Sequence, residues 1–81
     1  MEKMDLMKIT FYDCFKYETR SDKKKYRKVY PAYGKHIIEK YMGEYVSRDE
    51  FIIMMNELGY NLNKYQEYPF VIKSEKNFNW A

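Results

Sequence analysis

Residues 47–59, SRDEFIIMMNELG, restrict the fold of this chain more than any other stretch. Ser47 followed three residues later by Glu50 is a capping box. The hydroxyl accepts from one backbone N–H and the carboxylate from another, so two donors that a helix start leaves bare are satisfied reciprocally. Phe51, Met54, Met55 and Leu58 then recur at i, i+3, i+4 and i+7, with Ile52 beside them, which makes one apolar stripe of a helix. Gly59 supplies a left-handed stop. The pattern predicts a helix over 47–58.

A second helix is predicted over 31–42. Pro31 suits a first helical position. Ile37, Ile38, Tyr41 and Met42 form an apolar stripe, Lys35, Glu39 and Lys40 lie off it, and Gly43 ends it. Beyond Gly59, Tyr60 and Leu62 alternate with Asn61 and Asn63. A polar turn around 66–69 follows, then Phe70, Val71 and Ile72, which reads as a hairpin. Pro69 must stand at a strand start or edge, because it has no N–H to give to a ladder. Phe78 and Trp80 are expected to fold back onto the domain.

The first thirty residues are read less directly. Met4, Met7, Phe11, Cys14 and Phe15 have helical spacing, while Ile9 and Phe11 alternate with Lys8, Thr10 and Tyr12 as a strand does. The β-branched and aromatic content of KITFY tips the balance towards a strand. Residues 18–30 are polar and basic, a loop or an exposed helical turn begun by Ser21, with Tyr26 and Tyr30 placed to pin one face to the core. The expected architecture is α+β: two packed helices followed by a β-hairpin, winged-helix-like, behind an N-terminal strand or helix. At 81 residues this is a single domain over 1–81. Aromatic residues are 20% of the chain, and each buries a large area, so a small core can close with few of them.

Several function classes are disfavoured by residue supply. Cys14 is the only cysteine and His36 the only histidine. One of each gives no disulfide and no zinc spacing, and Cys14 lies in no C-x-x-C. His36 reads as a surface or packing residue rather than a base, and Cys14 as a small buried hydrophobe. Three glycines build neither a P-loop nor a dinucleotide fingerprint. Asp49 and Glu50 are adjacent, so on a helix they point apart, and Glu50 already has a cap to make. The reading is a non-enzymatic protein with no catalytic residues, cofactor or metal. No apolar run is long enough for a signal peptide or a membrane span, so the expected place is the cytoplasm.

Charge is more informative. The net charge is only +3, but residues 20–28 hold six bases against one acid, and residues 41–63 hold four acids against one base. In the basic run, Lys23, Lys24, Lys25, Arg27 and Lys28 interleave with tyrosines. Lysine neutralises phosphate and tyrosine stacks on bases, so the run fits phosphate or another acidic surface. It fits equally a solvated loop that its tyrosines anchor. In the acidic half, Glu44, Tyr45, Asp49 and Glu57 form a face suited to a basic protein partner, with the tyrosine as anchor, or an ordinary solvated helix surface.

The order helix, turn, helix, hairpin over 31–73 resembles a winged helix-turn-helix, with helix 47–58 as the reading helix. Gly43 falls in the turn. Asp49 stands six positions after it, where the motif wants an apolar residue, and Glu39 four positions before it, where the motif wants a small one. The helix offers Arg48 against Asp49, Glu50 and Glu57, a balance that a phosphate-lined groove repels. If the chain were such a regulator, Lys23 to Lys28, Lys64 and Lys73 would contact phosphate.

The stretch YPAYGKHIIEKYMGEYVSRDEFIIMMNELGYN, with the terminal F-N, resembles a group of small bacteriophage and prophage accessory proteins carrying Y-x-G-x-Y-V-S-x-x-E-F and a following L-G-Y. The matching residues are Tyr41, Gly43, Tyr45, Val46, Ser47, Glu50, Phe51, Leu58, Gly59, Tyr60, Phe78 and Asn79. The resemblance implies a mobile-element origin, and such proteins are often inhibitors of host defence or regulators of their own genes. It carries over no residue role. The expectation is therefore an inhibitor of a host nucleic-acid-directed defence system, similar to an anti-CRISPR protein, that binds a protein or ribonucleoprotein complex. The alternative is a winged helix-turn-helix transcriptional regulator. A wholesale nucleic-acid mimic is excluded, because a mimic must be strongly acidic.

Overall fold

The computed structural model describes residues 1–21 and 27–73. Three helices, α1 (Lys3–Cys14), α2 (Pro31–Met42) and α3 (Arg48–Glu57), pack on a three-stranded antiparallel sheet of β1 (Phe15–Tyr17), β2 (Lys28–Val29) and β3 (Tyr68–Ile72). The α+β class expected from the sequence is the one found.

The N-terminal segment is a helix, against the strand preference of KITFY. α1 has no side-chain cap at its start, so burial rather than capping holds it. Its inward face is Met7, Thr10, Phe11 and Cys14. The Phe11 ring lies 4.9 Å from Phe70, 5.2 Å from Phe15 and 5.9 Å from Phe51, centroid to centroid. A strand over the same residues would turn Met7 and Phe11 to one face and Thr10 and Cys14 to the other, and would divide that face of the core. Tertiary packing overrides the local β preference.

β3 lies between β1 and β2. Phe15, Lys16 and Tyr17 pair with Ile72, Val71 and Phe70, and Lys28 and Val29 with Val71 and Tyr68 across an irregularity. Two residues of the basic segment thus form an edge strand, where a loop or helical turn was expected. The chain reverses at Asn63 as a hairpin would. Its N–H donates to the Glu67 carbonyl at 2.9 Å, and its Oδ1 accepts from the Tyr65 and Glu67 amides. Residues 60–62, however, do not join the sheet as the hairpin's first arm. Both edges of β3 are already taken by β1 and β2. Tyr60 packs its ring 4.8 Å from Phe70 instead. Pro69 stands second in β3, near a strand start as required, and uses only its carbonyl, which accepts from Glu18 N–H at 3.0 Å. Phe78 and Trp80 lie outside the described residues.

α2 and α3 run as the sequence signals. Pro31 opens α2, and Gly43 closes it in the left-handed region at φ 71°. The capping box of α3 is present in both directions, at 3.0 Å each way. The two helices cross closely because α2 carries a buried glycine at the contact. A Cβ on Gly34 would stand 2.3 Å from Cζ of Phe51 and 2.9 Å from Cγ1 of Val29. Phe51, Met54 and Met55 of α3 are fully buried with Ile37, Ile38, Tyr68 and Phe70.

Candidate protein-docking face

The expected acidic face divides between two places. Glu44 and Tyr45 stand at the C-terminal end of α2, where with His36, Glu39, Lys40 and Gly43 they line an open groove of about 410 Å³. Lys35 holds Glu39 at 2.9 Å and places its ammonium 5.1 Å from the centre of the Tyr45 ring. That hydrogen bond to Glu39 raises the Lys35 pKa. The groove is mixed in charge, and the Tyr45 residue on it is 65% exposed. His36 is exposed and lines this groove.

Asp49 and Glu57 stand on α3, where the structure adds what the sequence did not show. α1 lies alongside α3, and two ion pairs cross the seam. Lys3 meets Glu50 at 3.0 Å and Lys8 meets Glu57 at 2.8 Å. From Lys3–Glu50 to Lys8–Glu57 both partners advance along their helices, so α1 and α3 run in the same direction. Glu50 is held below the usual carboxylate range, first by the Ser47 N–H and then by Lys3. The hydrogen bond to Glu57 raises Lys8, and burial raises Tyr12 before the contact with Tyr60 adds to it. Glu57 is therefore committed to α1.

Outside the seam the two helices expose a mixed stripe. On α1 these residues are Asp5, Ile9, Tyr12 and Asp13; on α3 they are Arg48, Asp49, Ile53 and Asn56. Ile9 is 48% and Ile53 50% exposed. Asp5, Ile9 and Asp13 follow at steps of four, as do Asp49, Ile53 and Glu57, so in each helix an isoleucine sits between two acids on one face. The Lys3–Glu50 and Lys8–Glu57 pairs cancel. What remains is three aspartates and Arg48 around two half-exposed isoleucines and a tyrosine. This is the composition of an anchored docking face: apolar residues that gain by leaving water, ringed by charge that steers. The signal that would have found α1's share is the four-residue spacing of Asp5, Ile9 and Asp13, which has meaning only once α1 is read as a helix.

The expected phosphate-binding residues are placed differently. Lys23, Lys24 and Lys25 lie outside the described residues. Arg27 stacks on Tyr30 at 6.0 Å and lies 3.5 Å from its hydroxyl. Lys28 meets Glu18 at 3.5 Å from within β2. Both basic residues are thus turned to their own chain. Lys64 lies 5.0 Å over Tyr65 at the exposed turn, and Lys73 is exposed just past β3. Cys14 is buried, and burial pushes its thiol up to about 11, so it stays protonated at neutral pH and is a poor nucleophile. Among the described residues no group of three or more His, Cys, Asp or Glu is placed to hold a metal ion, and no helix is long and apolar enough to cross a membrane.

Comparison with protein-family models, with curated proteins and with solved structures gives no match for this chain.

Proposed function

We propose that this chain is a non-enzymatic inhibitor of a host nucleic-acid-directed defence system, anti-CRISPR-like in action, and that it works inside the host cell by covering a basic nucleic-acid-binding surface. The observation that carries the reading is the outer face of α1 and α3, where Ile9, Ile53 and Tyr12 are exposed among Asp5, Asp13 and Asp49. Lysine- and arginine-lined surfaces of nucleic-acid-processing proteins are the complement of such a face. Carboxylates speed the encounter through long-range attraction, and the isoleucines and tyrosine hold the complex once formed. Glu44 and Tyr45 at the groove are a second contact, in the connection that leads from α2 into α3. The mobile-element resemblance points to host defence as the setting.

The winged-helix regulator is the reading this must beat. Among the exposed residues of α3, Arg48 is the one base against Asp49 and Glu57, a poor match to a phosphate-lined groove, and residues 60–62 make no wing strand. Titration of duplex DNA against salt separates the two. The inhibitor reading expects no binding near physiological salt. Micromolar or tighter binding with a steep salt slope, abolished by replacing Lys23, Lys24 and Lys25 with Ala, would establish the regulator instead.

A further inference from the structure

The groove at the end of α2 holds one acid that no other side chain has claimed. Of its lining residues, Glu39 is held by Lys35 at 2.9 Å, and Lys40 is engaged within its own chain. Among the described residues the Glu44 carboxylate makes no hydrogen bond and no ion pair; only its backbone N–H is used, donated to the Glu39 carbonyl at 3.3 Å. The Gly43 N–H donates to the same carbonyl at 2.9 Å, with Gly43 left-handed at φ 71°. These two bonds fix the turn that sets Glu44 and Tyr45 beside the last turn of α2. A Cβ on Gly43 would meet nothing within 4 Å, so the groove is open on that side. The Lys35 ammonium lies 5.1 Å from the centre of the Tyr45 ring, which therefore already takes a cation. At 65% exposure Tyr45 keeps surface for another. Lys35 and Glu39 are neutral as a pair, so the charge left over at the groove is that of Glu44.

We propose, resting on the inhibitor reading in which the partner offers a basic surface, that this groove takes the guanidinium of an arginine from that surface, paired with Glu44 and stacked on Tyr45. An unpaired carboxylate beside an exposed ring selects arginine over lysine. A guanidinium is planar and carries its donors in a fork, so it meets a carboxylate edge-on while its face lies on an aromatic ring. An ammonium is a point charge with a tight hydration shell and has no face to stack. The groove adds to the α1 and α3 face what that face lacks, a position that reads one residue type rather than net charge. At an exposed site the ion pair and the ring contact are each worth roughly two- to fivefold in affinity.

Titration of the isotope-labelled chain with nona-arginine and, separately, with nona-lysine, followed amide by amide by NMR at one salt concentration, tests it. Nona-arginine shifts the amides of Gly43, Glu44 and Tyr45. Nona-lysine, of equal charge, shifts them only at a concentration higher by roughly two- to fivefold, the share of the stacked ring. Glu44→Gln and Tyr45→Ala each weaken the nona-arginine response at these amides by a similar factor, and Tyr45→Phe, which keeps the ring, leaves it unchanged. Both residues are exposed, so the variants fold, and the same spectra report it. Nona-arginine that leaves the three amides unmoved would overturn the proposal. So would nona-lysine acting at equal concentration, or Glu44→Gln and Tyr45→Ala chains that respond as wild type does. The titration involves no defence system, so the two readings fail separately: a groove that takes arginine in a chain that never restores phage plating sinks the inhibitor reading alone, and restored plating with a silent groove sinks the groove alone.

Discussion

Gly34→Ala is the sharpest test of how α2 meets α3. In an exposed helix the change would stabilise by about 1 kcal/mol, because alanine is the better helix former. Here the added methyl meets Phe51 Cζ at 2.3 Å, Phe51 Cε1 at 2.7 Å and Val29 Cγ1 at 2.9 Å. Carbon atoms rest near 3.5–4.0 Å, so something must move by roughly an ångström. Neither neighbour has room. Phe51 and Val29 are fully buried, and the Phe51 ring is held between Phe11 at 5.9 Å and Tyr68 at 6.0 Å. Overpacking of a tight core costs about 1–3 kcal/mol, and three contacts at once place this site at the upper end. Net of the propensity gain, the loss is about 1–2 kcal/mol. In a domain of 60–100 residues each kcal/mol moves Tm by about 4–8 °C, so a melt followed by far-UV circular dichroism should fall by roughly 5–15 °C. Trimming the ring with Phe51→Leu makes room, so the two substitutions together should cost less than the sum of their separate costs. A Gly34→Ala protein that melts at or above the wild-type temperature would refute the close crossing.

Other outcomes follow from the same geometry. Ser47→Ala removes one half of the α3 capping box and should cost about 1 kcal/mol in urea unfolding, with α3 still formed in the folded state. Cys14 should resist alkylation by iodoacetamide in the native protein at pH 8, where its raised pKa and burial keep it a protected thiol, and react promptly in denaturant; prompt native reaction would mean that α1 does not pack as described. Glu50 has a lowered carboxyl pKa, so the stability it contributes is fully present above its unfolded value near 4.5 and is lost as pH falls through its folded value. Glu50→Gln should accordingly flatten the acid limb of the stability–pH curve. Ile53→Asp should leave Tm within a few degrees of wild type, since the side chain is half exposed, yet abolish docking, whereas Phe51→Ala, two positions away, should cost about 3–5 kcal/mol and unfold much of the protein.

What the sequence disclosed was local. α2 and α3 were legible because their start and stop signals lie within one or two turns: Pro31, Gly43, Ser47 with Glu50, and Gly59. α1 was not, since its residues carry both periods and the choice is made by Phe51 and Phe70, which are distant in sequence. The same holds for β2, whose two residues are a strand only because β3 offers an edge, and for residues 60–62, which have a strand's alternation but no free edge to join. At the candidate site, sequence singled out Asp49 correctly as an exposed acid of α3. It had no means of knowing that Glu57 is matched by Lys8 from the other end of the chain, or that Ile9 and Asp5 share the outer surface with Ile53.

The most direct test of the central claim is phage plating on a host armed with a nucleic-acid-directed defence system, CRISPR or restriction, that expresses this chain. The account predicts that wild-type protein restores plating towards that of the undefended host. It predicts that Ile53→Asp and Asp49→Lys, at equal cellular abundance, do not, while replacing Lys23, Lys24 and Lys25 with Ala leaves the protection intact. Restoration that survives both face substitutions would contradict the docking face, and no restoration against any such system would contradict the proposed function itself.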